Sequence, residues 1–156
     1  MRVIAILVAA LAVTACDDAI SRRGTSIAFS PTPEIAAQFS PQILPFSLVT
    51  SSCAVSPVFT TGFNLLILQT RPGNSFLDQV TFHLLDGTNL GGPSITFPRS
   101  QLTGMFGSTL VVNSRAFSFR PQFACGLGRP RSLVADVVLI DGDGSSRNVS
   151  VSAAFQ

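Results

Sequence analysis

From about residue 60 onward, short apolar runs alternate with turn-forming residues, and within the runs the apolar positions recur every second residue. Gln79 to Leu85 sets Val80, Phe82 and Leu84 on one side and Thr81 and His83 on the other. Successive side chains of an extended backbone point to opposite faces, so this spacing predicts a half-buried strand. Thr61 to Thr70 is a nearly continuous apolar run, as in a buried strand, and Arg71-Pro72-Gly73-Asn74 ends it with turn chemistry. Shorter strands are expected at Ser94 to Phe97, Ser108 to Val112 and Arg115 to Arg120, where Phe117 and Phe119 alternate with Ser118 and Arg120. The clearest hairpin closes the chain. Ser132 to Ile140 turns Ala135, Val137 and Leu139 to one face and Asp136 to the other. Asp141-Gly142-Asp143-Gly144-Ser145 forms the turn, and Arg147 to Phe155 returns with Val149, Val151, Ala153 and Phe155 inward.

The stretch from Ser26 to Pro45 differs, carrying Pro31, Pro33, Pro41 and Pro45. Proline has no N–H for a ladder and biases its predecessor toward extended geometry, so a kinked edge strand is expected there rather than a central one. Glu34 to Phe39 could form a single helical turn. Beyond the N-terminus no segment sustains a 3.6-residue apolar period between caps, and no repeat of 20–50 residues is visible. The expected fold is all-β: a β-sandwich of seven or eight short antiparallel strands over residues 26–156.

Composition agrees with one domain and a sizeable core: 156 residues, 46% hydrophobic and only 12% charged. A formal net charge of +2 gives no bulk attraction to nucleic acid, which is excluded as a partner. Most of the thirteen Phe fall at inward positions of the strand pattern and count as core rather than as the lining of a carrier cavity.

Met1 to Ala15 reads as a secretory signal peptide: one Arg, an apolar run from Val3 to Val13, then small residues. Eleven helical residues reach roughly 17 Å, short of the ~30 Å hydrocarbon core, so the run is not a membrane span. Val13-Thr14-Ala15-Cys16 resembles the lipobox of bacterial lipoproteins. That resemblance implies cleavage before Cys16, a diacylglycerol thioether on its sulfur and acylation, such as palmitate, of the new amine. Two or more acyl chains anchor a protein stably where one does not. Ordinary signal cleavage would also suit Val13-x-Ala15. The location implied is the cell membrane or outer membrane of a bacterium, facing periplasm or exterior, with residues 16–25 as a tether. Asp17 and Asp18 resemble an inner-membrane retention signal of some enteric lipoproteins, and equally suit a solvated tether.

If Cys16 takes lipid, Cys53 and Cys125 remain as a pair. An exported chain favours their disulfide, worth roughly 4 kcal/mol for a loop of about 70 residues in the chain-entropy model; two separate buried thiols are the alternative. The ending, an aliphatic strand, an Asp-Gly turn and Val-Ser-Val-Ser, resembles the last two strands of bacterial immunoglobulin-like and fibronectin-III-like modules. The Trp of the immunoglobulin core is absent. In such a seven-strand sandwich Cys53 and Cys125 would lie in connections at the same pole, and their bridge would staple that pole.

Titratable chemistry is thin. His83 is the single histidine, and Asp78 or Asp86 could orient it, yet both sit at strand ends and no Gly-x-Ser-x-Gly elbow exists. A solvated cross-strand histidine is the expectation. Asp141-Gly142-Asp143-Gly144 begins like a calcium loop, but its sixth and twelfth places are Ser146 and Ser152, where an EF-hand needs Gly and Glu. Weak calcium binding with another loop stays open. Arg120, Arg129 and Arg131 could gather as a small anion-binding patch, although such arginines are more often solvated. No cofactor motif or metal-ligand spacing is present: Cys53 and Cys125 lack a Cys-x-x-Cys, and Gly126-Leu127-Gly128 lacks the third Gly of a dinucleotide loop. The expectation is a non-enzymatic binding or structural module held at a membrane, with an envelope protein or glycan as partner. The alternative is a small envelope hydrolase using His83 with a nearby Asp.

Overall fold

The computed structural model describes residues 35–45, 47–48, 59–70, 72–85, 91–123 and 130–156. In chain order these form β1 (Ile35–Ser40), β2 (Ile43–Leu44), β3 (Ser47–Leu48), β4 (Phe59–Thr60), β5 (Phe63–Gln69), β6 (Ser75–Leu85), β7 (Gly91–Pro98), α1 (Arg99–Phe106), β8 (Leu110–Val111), β9 (Ser114–Phe119), β10 (Gln122–Phe123), β11 (Ser132–Asp141) and β12 (Ser146–Phe155). The described residues are all-β apart from one short helix.

Three sheets arise. The largest runs β2-β12-β11-β6-β7, with β8 also paired to β6; a second runs β1-β5-β9, and a small third β10-β4-β3. Every pairing is antiparallel except β2 with β12, which is parallel and so departs from the purely antiparallel expectation. Among the described residues there are twelve strands against the expected seven or eight, because several are two-residue pieces.

The period-two pattern was a sound guide to the inward faces. In β6 Leu77, Val80, Phe82 and Leu84 are buried, in β11 Leu133, Ala135, Val137 and Leu139, and in β9 Phe117 and Phe119. These join Phe39, Phe63, Leu65 and Ile67 of the β1-β5-β9 sheet in one core. Phe82 meets Phe63 and Phe119 edge-on, with ring centroids 5.2 and 4.9 Å away, so the two larger sheets face each other through phenylalanines. Burying each such side chain contributes about 1.5–3 kcal/mol.

Two local expectations are corrected. Residues 35–40 form an edge strand against β5, not a helical turn, because Ile35 and Phe39 gain burial there and the backbone gains a full ladder from Ile35–Gln69 to Ser40–Asn64. Residues 99–106, expected as non-helical, form α1. Its signal is faint because Leu102 is its buried residue and Pro98 at its N-cap supplies no side-chain hydrogen bond. Gly107 ends it at φ 71°, donating its N–H to the Thr103 carbonyl, a conformation cheap only for glycine.

Candidate functional site

A cleft of about 510 Å³ opens where one line of strands leaves the sheet. Beside β5 and β4, the outer strand position is filled by β1 up to the pair Ser40–Asn64, and by β3 from the pair Ser47–Thr60. Between them the chain departs through Pro41, pairs briefly as β2 with β12, and returns through Pro45. Proline cannot donate to a ladder, so the segment bounded by these two is poorly suited to continuing the strand. The edge at Thr61 and Gly62 is left with a recess instead. Thr61 Oγ1 donates to the Pro45 carbonyl at 2.7 Å, pinning the rim to the returning chain, and Thr60 Oγ1 donates to the Pro121 carbonyl at 3.1 Å, between β9 and β10.

Phe63 and Phe119, whose rings are buried in the core, also border the cleft and hold β5 and β9 in place beside it. The wall is polar and ordered by register. Ser40, Asn64 and Ser118 stand in one row across β1, β5 and β9. Ser118 Oγ donates to Asn64 Oδ1 at 2.6 Å. Two residues past Ser118, Arg120 also lines the cleft. The pairs Phe63–Phe119 and Thr60–Gln122 bracket Gly62 and Arg120 as facing positions. A Cβ on Gly62 would meet nothing within 4 Å, so the glycine leaves space beside the guanidinium. Among the described residues Arg120 makes no ion pair or hydrogen bond, whereas Arg99 pairs with Asp78, Arg147 with Asp141, and Arg115 donates to the Leu110 carbonyl at 2.8 Å.

His83 lies elsewhere, on the outer face of the large sheet. Its Nε2 is 3.0 Å from Asp136 Oδ2, and Ser150 Oγ donates to Asp136 Oδ1. Of the two acids expected to orient it, Asp78 pairs with Arg99 instead, and Asp86 lies outside the described residues. The pattern could place Asp136 on the outer face but not beside His83, since that needs the register of β6 against β11. The order of groups matters chemically. In a Ser-His-Asp triad the imidazole stands between hydroxyl and carboxylate, so that it can take the nucleophile's proton. Here the carboxylate stands between imidazole and hydroxyl, so Ser150 gives its hydrogen bond to an acid and His83 has no nucleophile in that chain.

The hairpin turn builds a second junction. Asp141 Oδ1 accepts from Ser75 Oγ at 2.7 Å and Oδ2 from Arg147 Nε at 2.6 Å. The Ser75 hydroxyl above all holds the Asp141 carboxyl below its usual range; burial opposes this, and Arg147 and Ser145 reinforce it. Asp143 accepts from both the hydroxyl and the N–H of Ser145, at 2.7 and 2.9 Å, as a turn-stabilising aspartate does. A cation between Asp141 and Asp143 would therefore have to compete with the Arg147 guanidinium. Among the described residues no group of three or more His, Cys, Asp or Glu could hold a metal ion.

Of the three arginines singled out from sequence, Arg120 lines the cleft, Arg131 is exposed and Arg129 lies outside the described residues. So do Cys16, Cys53 and Cys125, with the signal segment and tether. No helix among the described residues is long and apolar enough to cross a membrane. Ser40, Gly62, Asn64 and Ser118 were not anticipated as site residues. One signal was available: Asn64 is the polar interruption within Phe63-Asn64-Leu65-Leu66-Ile67-Leu68.

No protein-family model matches the chain, and neither does any curated protein. Solved structures do resemble it in fold. An X-ray structure determined as Northeast Structural Genomics Consortium target SoR45 superposes with a TM-score of 0.53 at 10% identity, covering 79% of this chain and 88% of that one. A Bordetella pertussis protein solved under the designation ApaA gives 0.50 at 12% identity, covering 78% and 93%. At such identities the likeness concerns the fold alone.

Proposed function

We propose that this chain is a lipid-anchored bacterial envelope protein whose folded part is an immunoglobulin-like or fibronectin-III-like β-sandwich that binds a ligand without transforming it. The anchor rests on the apolar run ending at Val13-Thr14-Ala15-Cys16. The sandwich reading draws support from the two larger sheets that share one phenylalanine core. Binding rests above all on the cleft beside Arg120, a concave site of the size small ligands use, with a few polar groups on its wall. Cys53 and Cys125 form the pole-stapling disulfide of this reading.

Crosslinking the native lipidated protein in its own cells tests the role. Adducts with an envelope protein or glycan are expected, and a clean absence of adducts overturns it. The mass of the mature protein tests the anchor and the bridge together: acyl chains on Cys16, and Cys53 and Cys125 lacking their thiol hydrogens. A mature form no heavier than its bare polypeptide, staying in the aqueous phase of a detergent partition, removes the anchor.

The second reading is a small envelope hydrolase using His83. The 3.0 Å contact with Asp136 favours it, since an aspartate of that kind can orient an imidazole. Ser150 on the far side of the carboxylate speaks against it. Hydrolase activity that is present in the parent and lost in His83→Ala would reverse the ranking.

A further inference from the structure

The cleft carries more than a location; the donors and charges on its wall select a class of ligand. Among the described residues its charged lining group is Arg120, and no Asp or Glu lines it. Arg120 offers five N–H donors in a planar fork suited to two oxygens of one oxyanion, and it has no partner among the described residues. Beside it, the Asn64 carbonyl oxygen is already taken by Ser118 Oγ, while its amide nitrogen makes no hydrogen bond among the described residues. The wall near the guanidinium is thus richer in donors than in acceptors. Further along stand the exposed hydroxyls of Ser40 and Ser47, which can both donate and accept. Gly62 keeps the space facing Arg120 open.

We propose that this cleft binds an acidic saccharide, a sugar bearing a carboxylate or a phosphate. The oxyanion sits on the Arg120 guanidinium and the Asn64 amide, and the sugar hydroxyls meet the serine hydroxyls of the wall. A neutral sugar would leave the charge unanswered, and a bare anion would leave the hydroxyl wall unused. This inference rests on the binding reading above and narrows it to one chemistry.

The test uses the full lipidated chain in detergent, with backbone amide shifts followed during titration. The probes are glucuronate, glucose 1-phosphate, glucose, acetate and inorganic phosphate. Shifts at Asn64, Ser118 and Arg120 are expected with glucuronate or glucose 1-phosphate, whichever acid the site prefers. The better of the two should bind at least tenfold more tightly than glucose and than the matching bare anion. Arg120→Ala should weaken it about tenfold or more, the scale of a lost charge-assisted hydrogen bond. Gly62→Leu, which fills the cleft and leaves the charge, should abolish it. Glucose binding as well as the acids, bare anions binding as well as the sugar acids, an indifferent Arg120→Ala, or no shift with any probe each overturns the proposal. Crosslinking in cells separates the two levels. Adducts that form without saccharide binding sink this inference alone, and the absence of adducts sinks the binding role.

Discussion

Ser75 and Asp141 stand far apart in the chain, yet the hydroxyl of one donates to the carboxylate of the other at 2.7 Å, tying the start of β6 to the end of β11. Arg147 closes the same carboxylate from the returning strand, and the Asp141 side chain is only 13% exposed. The junction is therefore less screened than a fully exposed ion pair, and the hydrogen bonds to the charged carboxylate carry its contribution to stability.

Asp141→Asn is expected to cost about 1.5–3 kcal/mol at neutral pH, the range for hydrogen bonds to a charged group. The cost should depend on pH in a defined sense. The folded carboxyl is held below its ordinary value of 3.8, with the Ser75 hydrogen bond as the leading cause. The stabilisation is then complete above that value and disappears as pH falls through the lower folded-state value. Urea unfolding of parent and variant at neutral and strongly acidic pH checks this: the gap should narrow on acidification, and a gap that stays constant or widens contradicts the assignment.

The pair His83–Asp136 should contribute little to stability. Its side chains are 36% and 47% exposed, so the contact is screened and each partner keeps much of its hydration. His83→Ala is expected to change stability by less than about 1 kcal/mol. It should also leave ligand shifts at Asn64 and Arg120 intact, because His83 lies on the large sheet and the cleft lies along β1, β5 and β9. A loss of binding in this variant would move the site away from the cleft.

Phe82 occupies the middle of the core. It is fully buried and its ring meets those of Phe63, Phe97 and Phe119 at centroid distances of 5.2, 5.8 and 4.9 Å. Phe82→Ala removes the transfer contribution and leaves a cavity that rings from both sheets cannot readily fill. The expected cost is about 3–5 kcal/mol, read as a fall in the urea midpoint with little change in slope. A cost near 1 kcal/mol would show that the two sheets are less closely joined at this point than the ring geometry implies.

How far the sequence foretold these features depends on what each one requires. Phe82 and Leu84 inward against His83 outward follows from backbone geometry alone, which is why strand faces were legible from period two. The partner of His83 was not, because Asp136 arrives through the register of β6 against β11, a long-range property no local pattern encodes. The cleft was hidden for a similar reason. Pro41 and Pro45 announced an interrupted strand, but Asn64, Ser118 and Ser40 become neighbours only when three strands distant in the chain align. The helix over 99–106 escaped notice because its one buried residue cannot make a periodic signal.

Two glycines offer the sharpest contrast in what a single methyl group does. Gly92 lies within the irregular pairing of β6 and β7, between the pairs Leu85–Gly91 and His83–Ser94. A Cβ there would lie 2.3 Å from the Leu84 carbonyl oxygen, and backbone cannot step aside as a flexible side chain can. Gly92→Ala should therefore cost about 1–3 kcal/mol, the range of overpacking penalties. Gly62 has no neighbour within 4 Å of the same atom and no left-handed φ. Gly62→Ala removes freedom from the unfolded chain at no steric cost, and is expected to raise stability by about 0.4–1 kcal/mol. Thermal unfolding of the two variants side by side checks both. If Gly62→Ala destabilised as much as Gly92→Ala, the open space beside Arg120 would not exist, and the cleft would lose the room that a ligand needs.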